Sequence, residues 1–254
     1  MSLRIKSITL GDGIPRICVP ITGKSREEIL SQSEIIARSQ PDLVEWRSDY
    51  YEDVLKGESA LQILESLSGI FGGIPVIFTF RSVEEGGNKE ISVWEYQTLN
   101  IAVAQQAKAD LIDVEVYRKD FNACSMIRQI HHLNGKVVGS NHNFQITYES
   151  EKMAEILYGM DECGADILKL AMMPKTPEDI LRLFEVTRQV SDNTQKPVVT
   201  MSMGNLGKIS RIGGGVFGSA ITFASAVDVS APGQIPLSEM RHILATIYNS
   251  TAKQ

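Results

Sequence analysis

The run Ala165-Asp166-Ile167-Leu168-Lys169-Leu170-Ala171 reads as a buried β-strand: it is apolar, short and interrupted by a single cation. Comparable β-rich runs recur at residues 16–20, 42–47, 75–80, 110–116, 137–142, 197–203 and 220–224, which with 166–171 makes eight. Most are separated by segments of helical spacing. Ile29, Leu30, Ile36 and Ala37 form one apolar stripe, and Ile180, Leu183, Phe184, Thr187 and Val190 another. Ser25 with Glu28 and Ser92 with Glu95 fit capping boxes, and Pro177 fits a first helical turn. Consecutive strands lie roughly 24 to 35 residues apart, the length of a βαβ unit. Eight such units predict an α/β protein of the (β/α)8 TIM-barrel type, a single catalytic domain over residues 1–254. A doubly wound sheet is the alternative, but the first strand lacks the glycine fingerprint for a dinucleotide. Residues 5–14, with Gly11-Asp12-Gly13 between apolar stretches, suggest an N-terminal β-hairpin closing the barrel bottom.

Composition narrows the function classes. With 43% apolar and 22% charged residues and a net charge of −6, the chain has no basic field to attract nucleic acid. No apolar run approaches the roughly 20 residues of a membrane span, and the N-terminus lacks the apolar core of a signal peptide, so a cytoplasmic protein is expected. Cys18, Cys124 and Cys163 form neither an even framework nor a closely spaced metal pair, and are expected to be reduced thiols. Four histidines, two of them His131 and His132 near a helix end, suggest no dedicated metal site.

A barrel places its functional side chains at the C-terminal ends of its strands. Glu45 and Arg47 end the second run, Arg81 follows the third, Asp113 and Glu115 close the fourth, and His142 closes the fifth. Lys169 lies late in the sixth, and Met201 and Met203 end the seventh. Burying an unpaired ammonium disfavours its charged form, and a neutral lysine amine can attack a ketone to form an imine, an electron sink for removing a neighbouring proton. His142 sits on the strand beside it, within plausible proton-transfer reach. The bland alternatives are a snorkelling strand-end lysine, a surface Arg47–Asp49 pair and methionines that fill gaps. A glycine-rich loop, Ser202 through Gly215, carries Arg211. Loops at this place in a barrel often bind phosphate, but a guanidinium suits a carboxylate equally well.

As a set, these residues resemble the type I 3-dehydroquinate dehydratase family. The matching segments are Glu45-Trp46-Arg47-Ser48-Asp49, Thr79-Phe80-Arg81 with Glu85-Gly86-Gly87, Asp113-Val114-Glu115, Ser140-Asn141-His142-Asn143-Phe144, residues 165–171, and Ser202-Met203-Gly204 leading to Ser210-Arg211. The resemblance spans nearly the whole chain. It implies a barrel that converts 3-dehydroquinate to 3-dehydroshikimate by syn elimination of water through a lysine Schiff base, with no metal or organic cofactor. It makes Lys169 the imine-forming residue, His142 the general acid/base and Glu85 its carboxylate partner. Arg211, assisted by Ser230 and Gln234, would hold the substrate carboxylate. Glu45, Arg47 and Arg81 would meet the ring hydroxyls, with Met201, Met203 and Phe223 completing the binding site. Arg47, Arg81 and Arg211 around Lys169 would disfavour its protonation, and residues 230–236 would form a lid. Pro20 stands where some family members carry serine. The family implies a homodimer. The rival readings are a class I aldolase acting on a phosphorylated substrate and a barrel that binds small acids without turnover.

Overall fold

The chain opens with an antiparallel hairpin of β1 (Leu3–Ile5) and β2 (Ile8–Leu10) in a computed structural model that describes residues 2–226 and 234–248. The hairpin lies where the sequence suggests, but its turn is Lys6-Ser7, with Lys6 at φ 47°, and not the glycine cluster. Gly11 and Gly13 instead follow the second strand. Ile5 and Leu10 are buried against Leu43, Ile77, Leu111, Val138, Ile167 and Val199 inside the barrel, so the hairpin stops its lower end.

Alternating strands and helices follow: β3 (Arg16–Ile21), α1 (Arg26–Arg38), β4 (Leu43–Arg47), α2 (Ser59–Phe71), β5 (Val76–Thr79), α3 (Val93–Gln106), β6 (Leu111–Glu115), α4 (Ala123–His132), β7 (Val137–Asn143), α5 (Ser150–Glu162), β8 (Ile167–Met172), α6 (Pro177–Asn193), β9 (Val198–Ser202), α7 (Lys208–Gly213) and β10 (Ile221–Ser225). The short β11 (Ile235–Pro236) pairs with the end of β10, and α8 (Leu237–Tyr248) packs on β3 and β10. Strands β3 to β9 are parallel neighbours in sequence order, and β10 lies beside β3. The Ala220 amide donates to the Val198 carbonyl at 2.7 Å and closes the ring between β9 and β10. The expected (β/α)8 barrel is therefore the observed one.

Strand alternation sets both core layers. Along β8, Leu168, Leu170 and Met172 face the helices, while Ile167, Lys169 and Ala171 face the interior. Helix starts follow their capping residues: Ser92 and Glu95 make the reciprocal box, and the Ser25 hydroxyl accepts from the Glu28 amide. The Glu28 carboxylate accepts from the Lys24 amide instead of closing the second box.

The cysteines depart from expectation. Cys124 in the first turn of α4 and Cys163 at the end of α5 are joined as a disulfide, their Cα atoms 4.5 Å apart. A sequence separation of 39 hides this pairing, because only the packing of two consecutive barrel helices brings the positions together. Cys18 remains a free, buried thiol, which burial pushes up and leaves inert.

Candidate active site

The strand ends converge as the barrel demands. Glu45, Arg47, Arg81, Glu85, His142, Lys169, Met201, Met203, Arg211, Phe223 and Gln234 all line one tight cavity of about 60 Å³ at the C-terminal end of the barrel. Ser230 lies outside the described residues, as does most of the proposed lid; Ile235 and Pro236 are strand residues. Gly86, Phe144 and Ala171 complete the lining. Gly86 adopts φ 82°, and a Cβ there would come within 2.2 Å of the Phe144 ring, so the glycine both makes the turn and admits the aromatic wall. Its place in Glu85-Gly86-Gly87 was legible, whereas its contact with Phe144 is not a local property of the sequence.

His142 is held from two directions. Its Nδ1 lies 2.9 Å from Glu85 Oε2, its backbone amide donates to the same oxygen at 3.0 Å, and Asn141 Nδ2 donates to Oε1 at 3.1 Å. The 3₁₀ turn Val83–Glu85 presents this carboxylate to the end of β7. Nε2 is the ring nitrogen left for another partner. Burial, then the neighbouring Arg81, Lys169 and Arg47, pushes His142 well down, while burial and then Glu115 push Glu85 well up against the opposing pull of Arg81. The imidazole is therefore neutral at neutral pH.

Lys169 is almost fully buried, and its partners differ from expectation. Its Nζ lies 3.0 Å from Glu45 Oε1, 3.4 Å from Asp113 Oδ2 and 5.0 Å from the Phe223 ring centroid. Carboxylates, rather than bare guanidinium groups, are its nearest charges. The arginines expected to crowd it are neutralised elsewhere: Arg47 makes a bidentate pair with Asp49 at 2.8 and 2.9 Å, and Arg81 reaches Asp113, Glu115 and Glu85 at 2.8, 3.0 and 3.3 Å. The Arg47–Asp49 pair therefore forms, but with Asp49 fully buried and not at the surface, and Arg47 still lines the cavity. Burial raises Glu45, but Lys169, Arg47 and Arg81 prevail and hold it at about 2. Asp113 and Glu115 sit beneath the cavity and are not among its lining residues.

Arg211 is the exception among these cations. It is 3% exposed, and among the described residues no carboxylate pairs with it. One Nη contacts Met201 Sδ at 3.8 Å, Nε has no partner, and burial lowers the group to about 10. The glycine-rich loop folds to bury this side chain. Gly207 allows close approach to the Ser202 carbonyl, where a Cβ would fall at 2.3 Å, and Ser210 accepts from the Ser202 amide at 2.8 Å. Gly207 thus serves packing instead of a phosphate cradle, and the loop's contribution to the cavity is a guanidinium awaiting an anion.

A parallel barrel whose strand ends gather a buried lysine amine, a histidine–carboxylate pair and an uncompensated arginine defines a lysine-dependent barrel enzyme for a small carboxylated substrate. The family model described as type I 3-dehydroquinase matches residues 17–251, and the chain belongs to that family. It is 41% identical over 244 residues to the 3-dehydroquinate dehydratase of Listeria monocytogenes serotype 4a, covering 96% of this chain and 97% of the relative. The fold matches the crystal structure of 3-dehydroquinate dehydratase from Geobacillus kaustophilus with a TM-score of 0.95 at 34% identity, covering 100% and 98% of the two chains. The type I enzyme from Clostridium difficile, solved with covalently modified comenic acid, gives 0.94 at 39% identity over 98% and 99%.

Proposed function

We propose that the protein dehydrates 3-dehydroquinate to 3-dehydroshikimate through an imine on Lys169, serving the shikimate pathway and aromatic amino acid biosynthesis. One observation carries the reading: the Lys169 amine, the His142–Glu85 pair and Arg211, which has no carboxylate partner among the described residues, open onto the same small cavity. Arg211 takes the substrate carboxylate, which supplies a counterion that no described residue gives this buried guanidinium. That contact fixes the ring, so that its ketone meets Nζ of Lys169. His142 takes a proton from the Lys169 ammonium, the freed amine adds to the carbonyl carbon, and the proton returns to the carbinolamine hydroxyl, so that water leaves and a protonated imine remains.

The iminium draws electrons from the adjacent carbon, and His142 Nε2 removes a proton there. The resulting enamine expels the hydroxyl group two carbons from the imine carbon, and His142 returns its proton so that water departs. A second water hydrolyses the imine and frees the amine. Glu85 holds the imidazole orientation throughout, as a carboxylate does for a catalytic histidine. Glu45, Arg47 and Arg81 meet the ring hydroxyls, Met201, Met203 and Phe223 exclude water, and Gln234 assists Arg211. Ser230 belongs to the same reading.

The class I aldolase alternative asks for a phosphate site, and a buried arginine with packed glycines favours a carboxylate. Formation of the ultraviolet-absorbing enone from 3-dehydroquinate tests the choice: the dehydratase makes it, and an aldolase or a binding-only barrel does not. The reading takes residues 1–254 as a single catalytic barrel that assembles as a homodimer in the cytoplasm. No described helix is long and apolar enough to cross a membrane, and sedimentation tests the dimer.

A further inference from the structure

Beneath the cavity floor, Asp113 joins the two halves of the site. Its Oδ2 accepts from Arg81 Nη2 at 2.8 Å and from Lys169 Nζ at 3.4 Å, and its Oδ1 accepts from Ser140 Oγ at 2.6 Å. Ser140 in turn accepts from Arg81 Nη1 at 3.0 Å, and the same Nη1 donates to Glu85 Oε2, the oxygen that binds His142. A continuous chain of contacts therefore runs from Lys169 through Asp113, Arg81 and Glu85 to His142. Asp113 is fully buried and does not line the cavity.

We propose that Asp113 is a positioning residue, the fixed counterion of Lys169, which sets the imine nitrogen and locks its position to that of the His142–Glu85 pair through Arg81. The proposal rests on the dehydratase reading above. Glu45 also touches Nζ, but it lines the cavity and has the substrate to serve. Asp113 faces only protein, so its negative charge stays beneath the nitrogen whether that atom is an ammonium or a protonated imine. Formation of the iminium from the ammonium changes no net charge at the nitrogen: it gives up a proton before it adds, a proton returns to the departing hydroxyl as water leaves, and one positive charge again lies 3.4 Å from Oδ2 if the nitrogen keeps its place.

The pH dependence of Lys169 reactivity is the readout that a merely structural role would leave unmoved. The titratable groups that Nζ touches or acts on are Glu45 on β4, Asp113 on β6, His142 on β7 and Cys18 on β3, and Arg47, Arg81 and Arg211 line the same cavity. Asp113→Asn keeps the shape and removes the charge. The rate of Lys169 acetylation by acetic anhydride, followed against pH by peptide mass, is expected to rise at a pH lower by about half a unit or more than in wild type. The kcat is expected to fall at least about tenfold with little change in KM, since the lost contacts leave the imine nitrogen and the His142–Glu85 pair out of register and do not touch bound substrate.

Ser140→Ala keeps the Asp113 charge but loosens its carboxylate, and is expected to lower kcat roughly threefold while leaving the acetylation profile in place. An unmoved profile in folded Asp113→Asn overturns the proposal. If that variant does not fold, an unchanged kcat in Ser140→Ala overturns it instead. Wild type that forms neither enone nor a borohydride-trapped adduct would refute the dehydratase reading itself, an outcome distinct from either variant result.

Discussion

His142 and Glu85 meet twice through one oxygen: Glu85 Oε2 lies 2.9 Å from the imidazole Nδ1 and 3.0 Å from the His142 backbone amide. The ring orientation is thus tied to the backbone at the end of β7. A histidine so placed directs its other nitrogen away from the carboxylate, and its surroundings decide when that nitrogen is a base.

Burial, followed by Arg81, Lys169 and Arg47, pushes His142 below its ordinary 6.5. The neutral imidazole therefore persists to lower pH than for a free histidine, and the acid limb of kcat/KM is expected below pH 6.5. The same depression makes the unfolded chain bind more protons than the folded one between the folded value and 6.5. The His142 contribution to stability is accordingly present above 6.5 and lost as pH falls through that window. A pH–rate profile checks the first point, and a limb at or above 6.5 would contradict it.

Arg211→Met separates binding from folding. A buried guanidinium with no carboxylate partner among the described residues costs stability in the free protein, so methionine is expected to hold or raise the melting temperature. KM is expected to rise roughly 10- to 100-fold, the worth of a charged hydrogen-bonded contact. An unchanged KM with a lower melting temperature would make Arg211 a structural residue.

Gly86→Ala forces a side chain into left-handed backbone at φ 82° and against the Phe144 ring. A loss of about 1 to 3 kcal/mol is expected, read by denaturant unfolding, with reduced kcat because Glu85 precedes the strained residue. Unaltered stability would mean that the ring yields freely.

Much of this arrangement was legible in the sequence because parallel-barrel strands are short, apolar and evenly spaced. The eight runs became β3 to β10 with ends shifted by a residue or so, and strand alternation alone turns Lys169 inward beside Ile167 and Ala171. What escaped depends on contacts between distant positions. The hairpin turn falls at Lys6-Ser7 because Leu3 and Ile5 pair with Leu10 and Ile8, and neither turn residue is a glycine. The carboxylates under Lys169 come from β4 and β6, and no local pattern announces that Arg47 and Arg81 are already paired.

The Cys124–Cys163 pair follows the same rule, since α4 and α5 must pack before the two positions meet. A bridge closing a loop of 39 residues removes about 4 kcal/mol of unfolded-chain entropy on a simple polymer account. The oxidised protein is therefore expected to melt above the reduced one by scanning calorimetry. Equal melting temperatures would show that the bridge contributes nothing.

The proposed dehydration turns on a covalent bond between Lys169 and the substrate. Intact-mass analysis after incubation with 3-dehydroquinate and borohydride is expected to show one adduct on wild type, mapped to Lys169 and absent from Lys169→Ala. Folded wild type that gives no adduct and no enone would contradict the account.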